Sequence, residues 1–175
     1  MTDLIIREAT VADAERLSLI ASATFIDTFA GVLDGDAVVV HCTSEHAPDQ
    51  FAAMLAKGAR AWIAELGGAP IGYALLKQPE LEAAREGDVE LKKIYVLSRF
   101  HGTGIARALF DAALKGSKGF ERLLLGVKDD NNRAIAFYSK MGFEQIGTRR
   151  FPVGDQLYDD LVMALVLPRQ IEAAE

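Results

Sequence analysis

Between Val89 and Leu109 the chain reads VELKKIYVLSRFHGTGIARAL: one strand, one glycine turn and the opening of one helix. Val89, Leu91, Ile94 and Val96 lie in a β-rich run that stops at Leu97-Ser98. Beyond Arg99-Phe100-His101-Gly102-Thr103-Gly104, the residues Ile105, Ala106, Leu109 and Phe110 return at helical spacing. Glycine adopts backbone conformations that other residues avoid, so Gly102 and Gly104 let successive N–H groups turn toward one point. A helix that starts there adds its unpaired N–H groups and the positive end of its dipole. Such an element is an anion cradle, best suited to phosphate.

The phosphate ligand is narrowed by what the loop lacks. The pattern G-x-x-x-x-G-K-[ST] of a P-loop is absent. A dinucleotide fingerprint needs a third glycine at 107, where Arg107 stands, and belongs to the first strand of its domain rather than to mid-chain. The remaining pattern, R-x-x-G-x-G followed by Ile-Ala after a strand, resembles the pyrophosphate loop of the GNAT acetyltransferases. Residues 126–143, GVKDDNNRAIAFYSKMGF, carry a second resemblance to that family. They supply a strand, Asn131, a helix through Ala134 and Phe137, then Tyr138 and Gly142-Phe143. Asn131 precedes Tyr138 by about two helical turns, so the two share a face. The two motifs stand in family order, and the resemblance covers nearly the whole chain. It implies an α/β (α+β) GNAT fold, a mixed and mostly antiparallel central sheet flanked by helices, in a single domain over residues 1–175.

The strand and helix signals follow that order. Leu4–Glu8 is a strand, and Thr10 with Asp13 forms a shortened capping box ahead of a helix running to about Phe29. Val38-Val39-Val40 has strand propensity, but the resemblance places it at the start of a second helical segment that continues through Asp49–Lys57. Arg60–Leu66 and Ile71–Lys77 form a hairpin around Gly67-Gly68. Gln78–Asp88 is an acidic loop. The helix after Gly104 ends near Gly116, and Arg122–Val127 and Asn131–Met141 follow as strand and helix. Phe143–Arg150 and Leu157–Val166 are two final antiparallel strands, ahead of a frayed tail over Ile171–Glu175. The expected order is β-α-α-β-β-β-α-β-α-β-β.

Composition excludes several functions. Of 175 residues, 25 are acidic and 19 basic, a net charge of −6, which argues against a nucleic-acid partner and is compatible with a cationic substrate. One cysteine, Cys42, rules out an intrachain disulfide and fits a reducing compartment. The opening MTDLIIREAT shows no signal-peptide pattern, and no apolar run reaches membrane-spanning length, so the cytoplasm is expected and a membrane partner is not. His41, Cys42 and His46 lack a fourth ligand at metal spacing, and no metal is expected.

The resemblance assigns roles to named residues. It implies acetyl-CoA as cosubstrate, held by Arg99, Gly102, Thr103, Gly104, Ile105, Ala106 and Arg107. Ile94, Tyr95 and Val96 would pair with the pantetheine arm as a further strand would, and Asn131, Ala134 and Phe137 would complete the contacts. Tyr138 is the candidate acid for the leaving thiolate, since a phenol is protonated at neutral pH. Glu90 is the candidate base; strand alternation puts it on one face with Lys92, Ile94 and Val96.

For the acceptor, TFIDTF (Thr24–Phe29) and the stretch from Gly154 to Leu165 resemble bacterial spermidine/spermine acetyltransferases. Phe25, Asp27 and Phe29 are therefore candidate substrate contacts, and Asp34, Asp36, Asp155, Asp159 and Asp160 further sources of negative charge. A small-molecule amine is the expected acceptor. Acetylation of a peptide or protein N-terminus, and acyl-CoA binding without turnover, stay open, and family habit makes a homodimer a further expectation.

Overall fold

The computed structural model describes residues 3–153 and 155–169. Seven strands form one sheet in the order β1-β2-β3-β4-β5-β7-β6. They are β1 (Leu4–Glu8), β2 (Arg60–Leu66), β3 (Ala69–Lys77), β4 (Asp88–Val96), β5 (Arg122–Lys128), β6 (Glu144–Val153) and β7 (Gln156–Val166). All neighbours are antiparallel except β4 and β5. The Gly67-Gly68 hairpin forms as the sequence reading has it, with both glycines at positive φ. The expected tail over Ile171–Glu175 lies outside the described residues.

Among the described residues five helices cover the two faces: α1 (Ala14–Phe29), α2 (Gly35–Ser44), α3 (Pro48–Ala56), α4 (Ile105–Gly116) and α5 (Asn132–Lys140). On one face Trp62, Leu76 and Leu91 pack with Leu109 and Phe110 of α4 and Tyr138 of α5. On the other, Ile63, Tyr73 and Leu75 pack with Leu17 and Ile20 of α1 and Phe51 of α3. The expected second helical segment is two helices. Asp34 caps α2 by accepting from the Ala37 N–H at 2.9 Å, and Pro48 opens α3. Val38–Val40 is helical despite its β propensity, because the cap and the burial of Ala37 and Val38 outweigh an intrinsic preference of well under 1 kcal/mol per residue. The capping-box carboxylate at Asp13 is present, accepting from the Thr10 N–H at 2.9 Å, and a 3-10 turn over Val11–Asp13 leads into α1.

Two irregularities in β4 shape what lies above it. First, β4 and β5 pair only at Asp88, Val89 and Glu90 with Arg122, Leu123 and Leu124. Above Glu90 the strands part, while β5 stays paired with β7 along its length. Second, the register against β3 slips between Leu75↔Lys93 and Leu76↔Leu91, so Lys92 is an extra, bulged residue. A bulge reverses the side-chain alternation beyond it. Val89, Leu91, Ile94 and Val96 therefore share the α4 face, and Glu90, Lys93 and Tyr95 the opposite face. This corrects the sequence reading, which set Glu90 on one face with Ile94 and Val96 by uninterrupted alternation.

Candidate active site

The gap between β4 and β5 is a cleft lined by β4 from Leu91 to Tyr95 and by β5 from Leu125 to Lys128. Asn131, Ala134 and Tyr138 of α5 line it from one side, Phe25, Thr28 and Phe29 of α1 from the other, and Arg149, Phe151, Tyr158 and Asp160 of β6 and β7 close it. Helix α4 follows β4 through the glycine loop. Gly104 is the N-cap at φ 88°, Gly102 sits at φ 77°, and no side chain caps the helix. A side chain at either glycine would meet no atom within 4 Å, so the backbone conformation, not space, requires glycine there. The first-turn N–H groups of Ile105, Ala106 and Arg107 have no intrahelical acceptor. Ile105 is buried and anchors the turn, whereas Thr103 and Ala106 are exposed. Arg99 lies over the Phe100 ring at 4.8 Å and Arg107 pairs with Asp111 at 2.9 Å.

The free edge of β4 also faces the cleft. The Leu97 N–H donates to Ile71 O on β3 at 3.0 Å. Main-chain groups alternate sides along an antiparallel strand, so those of Tyr95 and Lys93 turn to β3 and those of Ile94 and Val96 turn to the gap. The Val96 carbonyl accepts from His101 Nε2 at 2.9 Å, while His101 Nδ1 accepts from Arg133 Nη1 at 3.1 Å. Two donors thereby tie the glycine loop to β4 and α5.

Tyr138 is buried against Phe137 and Phe143 and is one of the residues lining the cleft. Burial raises its pKa above the ordinary phenol value, so it is a protonated donor at neutral pH. Asn131 caps α5 by accepting from the Ala134 N–H at 3.2 Å. Phe137 packs edge-on against Phe110 at 6.0 Å and supports the helix rather than lining the cleft.

Glu90 is fully buried at the last paired rung below the cleft and does not line it. Its Oε2 accepts from the Glu80 N–H at 3.0 Å; its Oε1 has no hydrogen-bond partner, with Lys92 Nζ at 3.7 Å and Arg149 Nη1 at 3.9 Å. Asp160 is the carboxylate on the cleft wall, paired with Arg149 Nε at 3.2 Å. Burial raises its pKa, against the opposing pull of Arg149.

The three substrate-contact candidates divide. Phe25 and Phe29 line the cleft, and Phe25 also stacks on His41 at 4.2 Å between ring centres. Asp27 does not line it. Both its oxygens are taken by Ser98, from the backbone N–H at 2.7 Å and from Oγ at 3.0 Å. These bonds hold its pKa below the usual carboxylate value and staple α1 to the segment leading into the glycine loop. Asp34 is the α2 cap and Asp159 lies 3.8 Å from Arg150. Sequence reasoning did not single out Lys93, Arg149, Phe151 or Tyr158. Nothing in their spacing marks them; only the pairing of β5 with β7 and of β7 with β6 carries Arg149, Phe151 and Tyr158 over the gap. His41 and His46 do meet, 4.7 Å apart between ring centres, but no group of three metal-ligating side chains exists among the described residues.

A strand pair that opens above an uncapped glycine N-terminus is the frame of a GNAT acetyltransferase. The acetyltransferase (GNAT) family model matches residues 29–143, and the chain belongs to that family. An uncharacterized N-acetyltransferase of Mycobacterium tuberculosis is 34% identical over 154 residues, covering 86% of this chain and 96% of the relative. Among solved structures, the PaiA N-acetyltransferase of Thermoplasma acidophilum in complex with coenzyme A aligns with a TM-score of 0.77 at 20% identity, over 94% of this chain and 99% of that one. The ribosomal-protein-S18-alanine N-acetyltransferase of Escherichia coli aligns with a TM-score of 0.71 at 19% identity, over 99% of each chain. At these identities the two structures speak for the fold alone. No helix among the described residues is long and apolar enough to cross a membrane.

Proposed function

We propose that the protein is an acetyl-CoA-dependent N-acetyltransferase that acts on a primary amine by direct attack in a ternary complex. One observation supports the reading: the edge of β4 and Tyr138 line one cleft, and His101 ties the uncapped glycine N-terminus of α4 to the end of β4 and to α5. The glycine N-terminus is suited to pyrophosphate, the strand edge to an amide-bearing arm, the Tyr138 hydroxyl to a leaving thiolate. The amine nitrogen attacks the thioester carbonyl, a C–N bond forms and the C–S bond breaks. Tyr138 gives its proton to the sulfur, and the ammonium proton leaves through a carboxylate. The outward N–H of Ile94 or Val96 is the donor for the tetrahedral oxyanion.

We assign proton acceptance to Glu90 acting through solvent, on the strength of its unpartnered Oε1 beside the cleft-lining Lys92 and Arg149. Asp160, on the wall itself, is the competing base. Comparing the pH profiles of Glu90→Gln and Asp160→Asn separates them: the base is the residue whose loss removes the acidic limb of kcat.

A polyamine acceptor draws little support from the charges. Asp27 and Asp34 are committed elsewhere, and Asp160 faces the cleft only together with Arg149. Release of CoA should be followed against polyamines, amino acids and short peptides. Turnover with any amine supports the transferase reading. Tight acetyl-CoA binding without turnover of any acceptor would replace it with a binding role.

A further inference from the structure

Behind the cleft, and joined to it at Lys92, Lys93 and Phe151, lies a second cavity of about 510 Å³. That is room for a small molecule rather than for a lone methylene chain. Its inner wall is backed by unpartnered polar atoms. His46 is 3% exposed, and neither of its ring nitrogens has a hydrogen-bond partner. Tyr73 is fully buried with a free hydroxyl, and the Nε2 of His41 is equally without a partner. These polar atoms lie just beneath the chamber wall, sealed from it.

Lys93 stands at the junction. Its Nζ lies 5.7 Å from the centre of the Phe151 ring and forms no ion pair with any carboxylate among the described residues. Its neighbours are not alike. Lys92 and Arg149 repel its charge, while Glu45 and Glu90 favour it from beyond ion-pair distance. Lys92 is paired with Glu80, and Arg149 with Asp160. Lys93 is thus a half-buried cation without an ion-pair partner; burial lowers its pKa to about 8, which still leaves it mainly protonated at neutral pH. The chamber lining sets Lys77, Lys92 and Lys93 against Glu45 and Glu80, a balance of one positive charge although the chain as a whole carries −6.

We infer that this chamber is the recognition pocket for an acceptor that carries a carboxylate, an amino-acid-type amine whose anionic end sets against Lys93. The inference rests on the transferase reading for the word acceptor, but the anion site stands on its own geometry. It also runs against a polyamine, whose ammonium groups Lys93 would repel.

The test pairs ω-amino carboxylates of increasing length with their own carboxamides, in two assays. Binding to the protein without acetyl-CoA is measured by calorimetry, and kcat/KM is measured with acetyl-CoA. For the length that fits, the carboxylate should bind and react at least tenfold better than its carboxamide. Lys93→Gln should collapse both ratios toward one, and Lys93→Arg should restore most of them, which a merely structural role for Lys93 would not do. Equal binding of carboxylate and carboxamide, or a preference that survives Lys93→Gln, overturns the inference. A carboxylate preference in calorimetry alongside absent acetyl-CoA binding would uphold the pocket and sink the transferase reading instead.

Discussion

Tyr138 and Gly104 make separable demands on the chemistry. Tyr138→Phe keeps the ring that packs between Phe137 and Phe143 and removes only the proton donor. We expect kcat to fall about 10²- to 10⁴-fold, the usual worth of a positioned acid, with little change in melting temperature. An unchanged kcat would take the acid role away from Tyr138. Gly104→Ala meets no clash, but it forces a side chain into φ 88° at a cost of roughly 1–2 kcal/mol. The loop should relax away from its cradle shape, raising the KM for acetyl-CoA about tenfold and leaving acceptor KM alone. Asp27→Ala tests the staple in the same way. Its target is the loop and not the acceptor, so the acetyl-CoA KM should move and acceptor preference should not.

Where α4 crosses β2, and where β1 meets α1, single contacts decide how elements seat. The Cβ of an alanine at Gly116 would clash with the Trp62 ring, which is itself fixed in the core. Gly116→Ala should destabilise by about 1–3 kcal/mol through overpacking. That is several degrees of melting temperature, readable by calorimetry. At the other edge, Arg7 of β1 bonds both Asp13 ahead of α1, at 2.7 Å, and Glu65 of β2, at 3.0 Å. Its hydrogen bonds hold the Asp13 pKa down at about 2, below its ordinary 3.8. A depressed carboxylate contributes stability that is complete above the unfolded pKa and is lost as pH falls through the folded one. Asp13 therefore supplies up to about 2 kcal/mol above pH ~4, fading toward pH ~2. Asp13→Asn should flatten the acid limb of a urea-midpoint-versus-pH curve in that window; an unaltered limb would show that the pair contributes nothing net.

Taken whole, the described residues form a continuous sheet that opens between β4 and β5, and that opening is the candidate site. The two halves meet through only three paired residues of β4 and β5. A ligand that fills the gap and pairs with the free edge of β4 replaces the missing strand contacts. Acetyl-CoA at about 100 times its Kd should accordingly add close to 2.7 kcal/mol of stability and raise the melting temperature by about 5–10 °C. A melting temperature indifferent to saturating acetyl-CoA would exclude the cleft as its binding site.

What the sequence determined by itself was local and periodic. Glycines at 102 and 104, the cap at Asn131, the turn at Gly67-Gly68 and the apolar faces of α1 and α4 are each written within a few residues, so strand, helix and loop could be read in order. The family's motifs are local in the same sense, which is why the family and its fold were legible. The tertiary structure decided the rest. One bulged residue, Lys92, reverses the alternation that sequence reading assumes and carries Glu90 to the other face, because register depends on a partner strand that the strand's own residues do not encode. Asp27 turned from a substrate contact into a staple because Ser98, 71 residues away, reaches it first. The charge of the pocket was equally hidden. A net of −6 says nothing of a cavity where β4 and β6 set Lys93 and Arg149 side by side, since a local field depends on distance and burial rather than on the total.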